Sequence, residues 1–244
     1  MELITDIAEA RQTLAQAVDE SQNLVFLGGA GVSVASGIPD FRSVDGLYHQ
    51  KFDYPPETML SHEFYETHPE EFFRFYKEKM IPRGAKPNQA HYKLAQLEQD
   101  GPLKAVLTQN IDGLHQMAGS KSVLELHGSV HRNKCLRCGE VYSAQWVLDQ
   151  PGVPVCDQCG GPIKPDVVLY GEALDQQVLN VAADAVAGCD TLVIGGTSLV
   201  VWPVAGLVQL FGGKRLVMVN LQPTPQDAVA DLMIRVPIEE AFDF

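Results

Sequence analysis

The sequence predicts an α/β fold built on a doubly wound, mostly parallel, Rossmann-like sheet, and three observations carry that prediction. Short, continuous apolar runs recur along the chain, helical stretches separate them, and the first run ends in Gly28-Gly29-Ala30-Gly31. Strands buried on both faces read as unbroken apolar runs, and strand–helix alternation is the wiring of a parallel sheet. The chain's 244 residues suffice for one large core with a smaller module inserted.

Taken in order, residues 3–19 place Leu3, Ile7, Ala10, Leu14, Ala17 and Val18 at a helical period. Leu24-Val25-Phe26-Leu27 reads as a buried strand running into the glycine loop. Residues 40–87 are rich in aromatics and prolines (Phe41, Tyr48, Phe52, Tyr54, Pro55, Pro56) and predict an irregular lobe with short helices, one of them over His68–Tyr76. Asn88 caps a helix to about Gln99, closed by Asp100-Gly101-Pro102. Ala105–Thr108 and Ser122–Glu125 read as strands. Residues 131–164 interrupt the rhythm with four paired cysteines. The alternation then resumes: a strand at Val167–Leu169, a helix over 175–187, a strand at Thr191–Ile194, a helix over 203–211 and a strand at Leu216–Val219. The expected organisation is a main domain from 1–39, 88–130 and 165–244, a lobe over 40–87 and a small module over 131–164.

Hydrophobic residues make up 45% of the chain and charged residues 20%, the balance of a globular protein. Eighteen Lys and Arg face 31 Asp and Glu, a formal charge of −13. A field of that sign repels phosphate backbones and anionic lipid, so nucleic acid and membrane are not expected as partners. It favours a basic protein segment, although solubility alone also accounts for it. No apolar run approaches the roughly 18 residues of a membrane span, and the start lacks the layout of a signal peptide. A cytoplasmic location is expected.

Cys135-x-x-Cys138 and Cys156-x-x-Cys159 are separated by 17 residues, with Gly139, Gly160 and Gly161 supplying permissive backbone for tight knuckles. Four thiolates complete a tetrahedral zinc site with no position left for water, which makes it structural. A redox dithiol needs only one such pair. With four sulfurs present, His131 is expected to be a surface residue. Cys189 stands alone after Ala187-Gly188 and reads as a buried, inert thiol.

Gly29-Ala30-Gly31 after a buried strand is a phosphate-binding arrangement, weak when taken alone. Val34 stands where the usual dinucleotide fingerprint has its third glycine, and no acidic residue follows at the expected strand end. An ordinary dehydrogenase is therefore unsupported, and the absence of Gly-Lys-Ser/Thr excludes a P-loop.

Four blocks resemble one family. Gly29-Ala30-Gly31-Val32-Ser33-Val34-Ala35-Ser36-Gly37-Ile38-Pro39-Asp40-Phe41-Arg42 is similar to the sirtuin signature Gly-Ala-Gly-x-Ser-x-x-Ser-Gly-Ile-Pro-Asp-Phe-Arg. Thr108-Gln109-Asn110-Ile111-Asp112-Gly113-Leu114-His115 and Glu125-Leu126-His127-Gly128 resemble two further sirtuin blocks. Gly195-Gly196-Thr197-Ser198-Leu199-Val200-Val201-Trp202-Pro203, followed by Val219-Asn220, resembles a fourth. The cysteine pairs fall where that family carries zinc, and His68–Phe75 is similar to its bacterial, undifferentiated class.

The resemblance implies NAD-dependent removal of acyl groups, mainly acetyl, from protein lysines. The acyl oxygen attacks the nicotinamide ribose, nicotinamide leaves, and acyl-ADP-ribose and free lysine result. It assigns Asp112 to the nicotinamide carboxamide with Ile111 beside it. Gln109 and Asn110 orient ribose hydroxyls and a water, and His127 serves as general base. Gly29, Ala30, Gly31 and Val34 border the cofactor. Phe41 shields the intermediate, and Arg42 contacts diphosphate or ribose beside Asp40, although an Asp40–Arg42 ion pair is the local alternative. Thr197, Ser198, Asn220 and Leu221 meet the adenosine half, and Ile238 covers the adenine.

By the same resemblance, the acyl-lysine peptide adds as a strand between Val168-Leu169-Tyr170-Gly171-Glu172 and Leu199-Val200-Val201, with Glu172 attracting basic sequences. Leu169-Tyr170 departs from the family's Phe-Phe at that point. Relatives that take succinyl or malonyl groups carry Tyr-x-x-Arg in the lobe. Here Tyr76-Lys77-Glu78-Lys79 lacks the guanidinium fork, which favours acetyl. His115 is assigned a structural role, and His49, His62, His68 and His91 surface or packing roles. The alternatives are a deacylase for other acyl groups, a mono-ADP-ribosyltransferase, and a non-enzymatic NAD-sensing zinc-ribbon protein.

Overall fold

Asp6 decides where the first helix begins. Its carboxylate accepts from the Glu9 N–H at 2.9 Å, the mark of an N-cap. The helix α1 therefore spans Ile7–Asp19, and the residues before it form a strand, β1 (Glu2–Ile4), instead of a helical turn. β1 pairs in parallel at the sheet edge, which hydrophobic spacing alone did not reveal. This computed structural model describes residues 2–41, 52 and 54–244. The predicted cofactor contact Arg42 lies outside the described residues, as do Tyr48 and His49.

β2 (Leu24–Gly28) is buried along its whole length, as its apolar run requires. It feeds a tight 3₁₀ turn over Ala30–Ser36. The lobe follows with α2 (Pro56–Met59), α3 (His62–Thr67) and α4 (Pro69–Phe75), the last running into a π-helical turn over Tyr76–Met80. Next come α5 (Gln89–Asp100), β3 (Leu103–Thr108), α6 (Leu114–Ala118) and β4 (Val123–Glu125). The small module contributes β5 (Gly128–Cys135), β6 (Val141–Tyr142), α7 (Ala144–Asp149) and β7 (Ile163–Val167). α8 (Gln176–Gly188), β8 (Thr191–Gly195), a 3₁₀ segment over Val204–Leu210, β9 (Arg215–Val219), β10 (Leu232–Ile234) and α9 (Ile238–Ala241) complete the chain.

The main sheet has seven strands in the order β1-β10-β9-β8-β2-β3-β4, and every ladder is parallel. From β2 the chain builds outward through β3 and β4, then returns beside β2 with β8 and builds the other way. The strand order reverses between β2 and β8, the position beyond whose carboxyl ends such sheets form their ligand crevice, and there Gly28 is in register with both Thr108 and Gly195. Two apolar layers cover the faces, one from α1, α5 and α9 and the other from α8 and the Val204–Leu210 segment.

The strand expected at Val167–Leu169 belongs elsewhere. β7 ends at Val167 and pairs antiparallel with β5 in a separate three-stranded sheet, β6-β5-β7. The aromatic lobe and the small module share a core, beside a second, smaller cluster of Cys135, Tyr142, Cys156 and Ile163 that belongs to the module itself. Phe64, Phe72, Phe73 and Tyr76 pack in one cluster with Val130, Val147 and Val167. The expected helix over 203–211 takes the tighter 3₁₀ form.

Asn88 ties the glycine turn to α5. Its side-chain oxygen caps the Ala90 N–H, while Nδ2 donates to the Val32 carbonyl at 2.7 Å and Ser36 Oγ at 3.0 Å. Asn88→Asp keeps the cap but turns a carboxylate toward the Val32 oxygen. It is expected to destabilise at least as much as Asn88→Ala, on the order of 1–3 kcal/mol in urea unfolding. A milder effect for the aspartate would show that capping dominates.

Candidate active site

The crevice begins with two backbones in contact. Gly31 N–H donates to the Gly196 carbonyl at 2.7 Å, and a Cβ on Gly31 would lie 2.7 Å from Gly196 Cα. Gly29 faces Thr197 in the same way, its Cβ position 2.8 Å from Thr197 Cβ. The glycines are thus required by packing between the loops after β2 and β8, whatever else they border. Thr197 is fixed from two sides: its N–H donates to Asn220 Oδ1 (2.9 Å), and Gln109 Nε2 donates to its hydroxyl (2.8 Å). Asn220 Nδ2 is buried with no partner among the described residues, an unsatisfied donor at a strand tip. That donor, beside a helical turn rich in backbone N–H groups, fits a polar ligand with hydroxyls such as a nucleoside.

Beside this lies a polar network that reaches into the protein. Asn110 Nδ2 donates to Ser33 Oγ (3.0 Å), and the Ser33 hydroxyl donates to Asp112 Oδ2 (2.7 Å). The other Asp112 oxygen accepts from the Leu114 N–H at 2.9 Å. Asn110 and Asp112 are both buried, so each bond is made in a low-dielectric setting that stiffens it. Ser33 is the residue that links the glycine turn to the Asn110–Asp112 segment. It stood in the signature without a role, and only the side-chain geometry supplies one.

His127 follows β4, and its Nδ1 lies 3.0 Å from the Gln109 carbonyl. A carbonyl can only accept, so Nδ1 carries the proton and Nε2 is the basic nitrogen of the neutral ring. Burial lowers the pKa of His127 below the ordinary 6.5, opposed by the Gln109 hydrogen bond. The backbone carbonyl of His127 accepts from the Val168 N–H at 3.0 Å, which connects this residue to the loop after β7. Gln109, Asn110, Asp112, His127 and Thr197 are therefore brought together by direct bonds or single intermediaries.

The remaining predicted positions fall around this centre. Val34 and Leu221 are exposed, Ala30, Asp40, Phe41, Ile111 and Ser198 half-buried. Ile238 is buried in the core with its Cδ1 against Gly195, so it forms the floor under the strand tip. Leu199 is buried with φ of 51°, and Val200 and Tyr170 are exposed. The N–H and carbonyl of Tyr170 are used against Leu60 and His62, which leaves Gly171 to offer backbone groups on that side.

Glu172 differs from expectation. Its carboxylate accepts from the Leu169 N–H (2.9 Å), Lys164 Nζ (3.0 Å) and His62 Nδ1 (2.7 Å). Although desolvation opposes it, these donors hold the carboxyl below its usual range. A carboxylate so occupied braces the loop and attracts little else. Tyr76 is fully buried with its hydroxyl near Asn133, while Lys79 pairs with Glu78 and lies over the Phe52 ring. His131 is exposed as expected, yet its Nε2 lies 2.9 Å from the Asp112 carbonyl. His91 and His115 are buried neighbours with ring centroids 4.7 Å apart. Burial pulls His115 down to about 3 and lowers His91 as well.

The four cysteines converge. All their Sγ atoms lie within 4.8 Å of one another, with Cys135–Cys159 at 3.5 Å and Cys138–Cys156 at 3.6 Å. A disulfide needs about 2.05 Å, whereas four sulfurs at about 2.3 Å from one zinc ion sit roughly 3.8 Å apart. The cluster fits a structural zinc site of four thiolates. Cys189 lies apart and buried, its thiol donating to the Val186 carbonyl.

The Sir2 family matches residues 29–203, and the chain belongs to that family. It is 55% identical over 224 residues to an NAD-dependent protein deacetylase of Clostridium acetobutylicum, covering 91% of each chain. A protein of the same description from Staphylococcus epidermidis is 46% identical, again over 91% of each chain. Among solved structures, a Sir2 variant with deacetylated p53 peptide and 3′-O-acetyl-ADP-ribose superimposes with a TM-score of 0.87 at 41% identity, covering 95% of both chains. A Sir2 bound to a propionylated peptide matches with a TM-score of 0.85 at 41% identity, over 95% of this chain and 94% of that one.

Because zinc binding supplies folding energy, on the order of 10 kcal/mol in small modules, Cys138→Ser is expected to lose stoichiometric metal. Amide hydrogen exchange should then rise in β5–β7 and in the lobe sharing their core, while β2 and β8 stay protected. Stoichiometric zinc in that variant, or unchanged exchange, would contradict a structural four-thiolate site.

Proposed function

We propose that this chain is an NAD-dependent protein lysine deacetylase, with the polar cluster at the tips of β2, β3 and β8 as its active site. The observation that carries the proposal is the convergence of Gln109, Asn110, Asp112 and His127, in which His127 is anchored through Nδ1 and keeps Nε2 as a base.

NAD supplies an electrophilic ribose carbon and a nicotinamide leaving group. Little acid catalysis is needed to expel nicotinamide, because it departs as a neutral molecule. The chain's own work is positioning and proton transfer. Asp112, held by Ser33 and the Leu114 N–H, presents a fixed carboxylate for the carboxamide N–H groups. Asn110, held by the same serine, orients the ribose or a water beside it. Thr197 and Asn220 meet the adenosine side, where the unsatisfied Asn220 Nδ2 gains a partner. His127 Nε2 draws the proton from a ribose hydroxyl as the acyl group moves to it. Phe41, packed against the aromatic cluster, excludes water from the reacting carbon.

The acyl-lysine peptide lies between Gly171 and the Leu199-Val200 segment and pairs with main-chain groups, so flanking sequence matters little. The chain's acidity favours basic substrate proteins. Acetyl is preferred over succinyl or malonyl, since Tyr76 is buried in the core and Lys79 is engaged by Glu78, leaving neither to bind a distal carboxylate. Reduced thiols suited to zinc accord with a cytoplasmic setting. Among the described residues no helix is long and apolar enough to cross a membrane.

The sign of the His127 shift gives the pH test. The base works when neutral, and burial lowers its pKa, so activity persists below the ordinary value and is lost as pH falls through the shifted one. The acid limb of kcat/KM for an acetyl-lysine peptide is expected below 6.5. His127→Ala should keep the fold and lose at least about a hundredfold in activity. Mass spectrometry of the NAD-derived product should find acetyl-ADP-ribose. ADP-ribose attached to the protein substrate would identify a transferase instead, and wild-type rates in His127→Ala would remove the proposed base.

A further inference from the structure

The segment that carries Asp112 is held from two directions. From inside, Ser33 and the Leu114 N–H fix its carboxylate. From outside it is fixed by β5, a strand of the small sheet. The Val130 N–H donates to the Ile111 carbonyl at 3.0 Å, and the His131 ring reaches the next carbonyl, that of Asp112, with Nε2 at 2.9 Å. Because the carbonyl can only accept, Nε2 is protonated and donates.

The peptide that receives this bond has a hinge on its far side. Gly113 has a φ of 72°, and a Cβ there would lie 2.7 Å from both Cδ2 and Nε2 of His131. Glycine adopts positive and negative φ with similar ease, so the Asp112–Gly113 peptide plane can turn over at little steric cost. Turning it changes ψ of Asp112 and φ of Gly113 and so displaces the following peptide, whose Leu114 N–H holds the Asp112 carboxylate at Oδ1. A donor on the Asp112 oxygen selects one orientation. It comes from an exposed side chain, and the ring that supplies it occupies the space beside Gly113 that any other residue would fill.

We propose that His131 is a positioning residue for the nicotinamide subsite: its Nε2–H locks the Asp112–Gly113 peptide and so aims the Asp112 carboxylate at the carboxamide. This rests on the reading that Asp112 meets the carboxamide. It places a determinant of nicotinamide affinity on the small sheet, outside the crevice.

The test uses the full, zinc-loaded chain. Two responses to nicotinamide are measured, inhibition of deacetylation and exchange of labelled nicotinamide into NAD. KM for the acetyl-peptide and the thermal midpoint are followed alongside. His131→Ala should raise the nicotinamide concentration for half-maximal effect about 2- to 10-fold, the scale of one neutral hydrogen bond, with peptide KM and thermal midpoint unchanged. His131→Gln, whose amide nitrogen has comparable reach, should return most of that loss. An unchanged nicotinamide response in His131→Ala overturns the proposal. So does a glutamine variant no better than alanine, or a loss that extends equally to peptide KM, which would mark a general structural role. Asp112→Asn separates the layers. If it leaves the nicotinamide response intact, the assignment of Asp112 falls and the inference with it. If Asp112→Asn weakens the response and His131→Ala does not, only the role of His131 falls.

Discussion

The close approach of Gly31 to Gly196 is the constraint on which the rest of the site depends. Two loops leave adjacent parallel strands at the point where strand order reverses, and their backbones meet without side chains between them. That contact sets the depth of the crevice and brings Thr197 within reach of Gln109. It also holds the turn that carries Ser33 over Asn110 and Asp112. A methyl group at either glycine would push the loops apart by about an ångström or more, and hydrogen bonds near 2.8 Å do not survive such a shift. Packing between loops, not affinity for phosphate alone, explains why small residues are needed here.

A second dependence runs through β5. It starts directly after His127, carries Val130 and His131 to the Asp112 segment and ends at Cys135. One strand thus links the proposed base, the segment beside it and a thiolate of the metal cluster. Its partner β7 leads into the loop braced by Glu172, with Lys164 of β7 and His62 of α3 on the same carboxylate. The module is better described as the back wall of the site than as an appendage, since Val130 and Val167 share one core with the aromatic lobe.

Much of this was legible in the sequence, for physical reasons that differ by element. Leu24–Leu27 and Thr191–Ile194 announce themselves because a strand buried on both faces has no polar positions to blur it. The cysteines were legible because ligand spacing is set by the ion. What could not be read depends on contacts distant in sequence. Glu2–Ile4 is a strand only because β10 lies beside it, and β10 itself is too short to announce itself. Val168-Leu169 looked like sheet because they are apolar, but the chain leaves β7 there and Leu169 packs into the aromatic cluster. Glu172 looked available because nothing local reveals that Lys164 and His62 converge on it.

The histidines show most clearly what sequence leaves open, and why one of them is the proposed base. An imidazole's role is set by what one nitrogen binds and by how far the ring is buried. His115 has neither nitrogen partnered among the described residues and is driven to about 3, so it stays neutral throughout any cycle near neutrality. His91 is spent on the Asn88 N–H at the start of α5. His62 is spent on Glu172, whose hydrogen bond raises its pKa above the ordinary value. His131 donates outward to a carbonyl. Among the described histidines, His127 alone combines an Nδ1 anchored on the Gln109 carbonyl, burial that lowers its proton affinity, and an Nε2 left as the basic nitrogen. Its lowered pKa keeps it neutral, and therefore competent as a base, at the pH where a cell works.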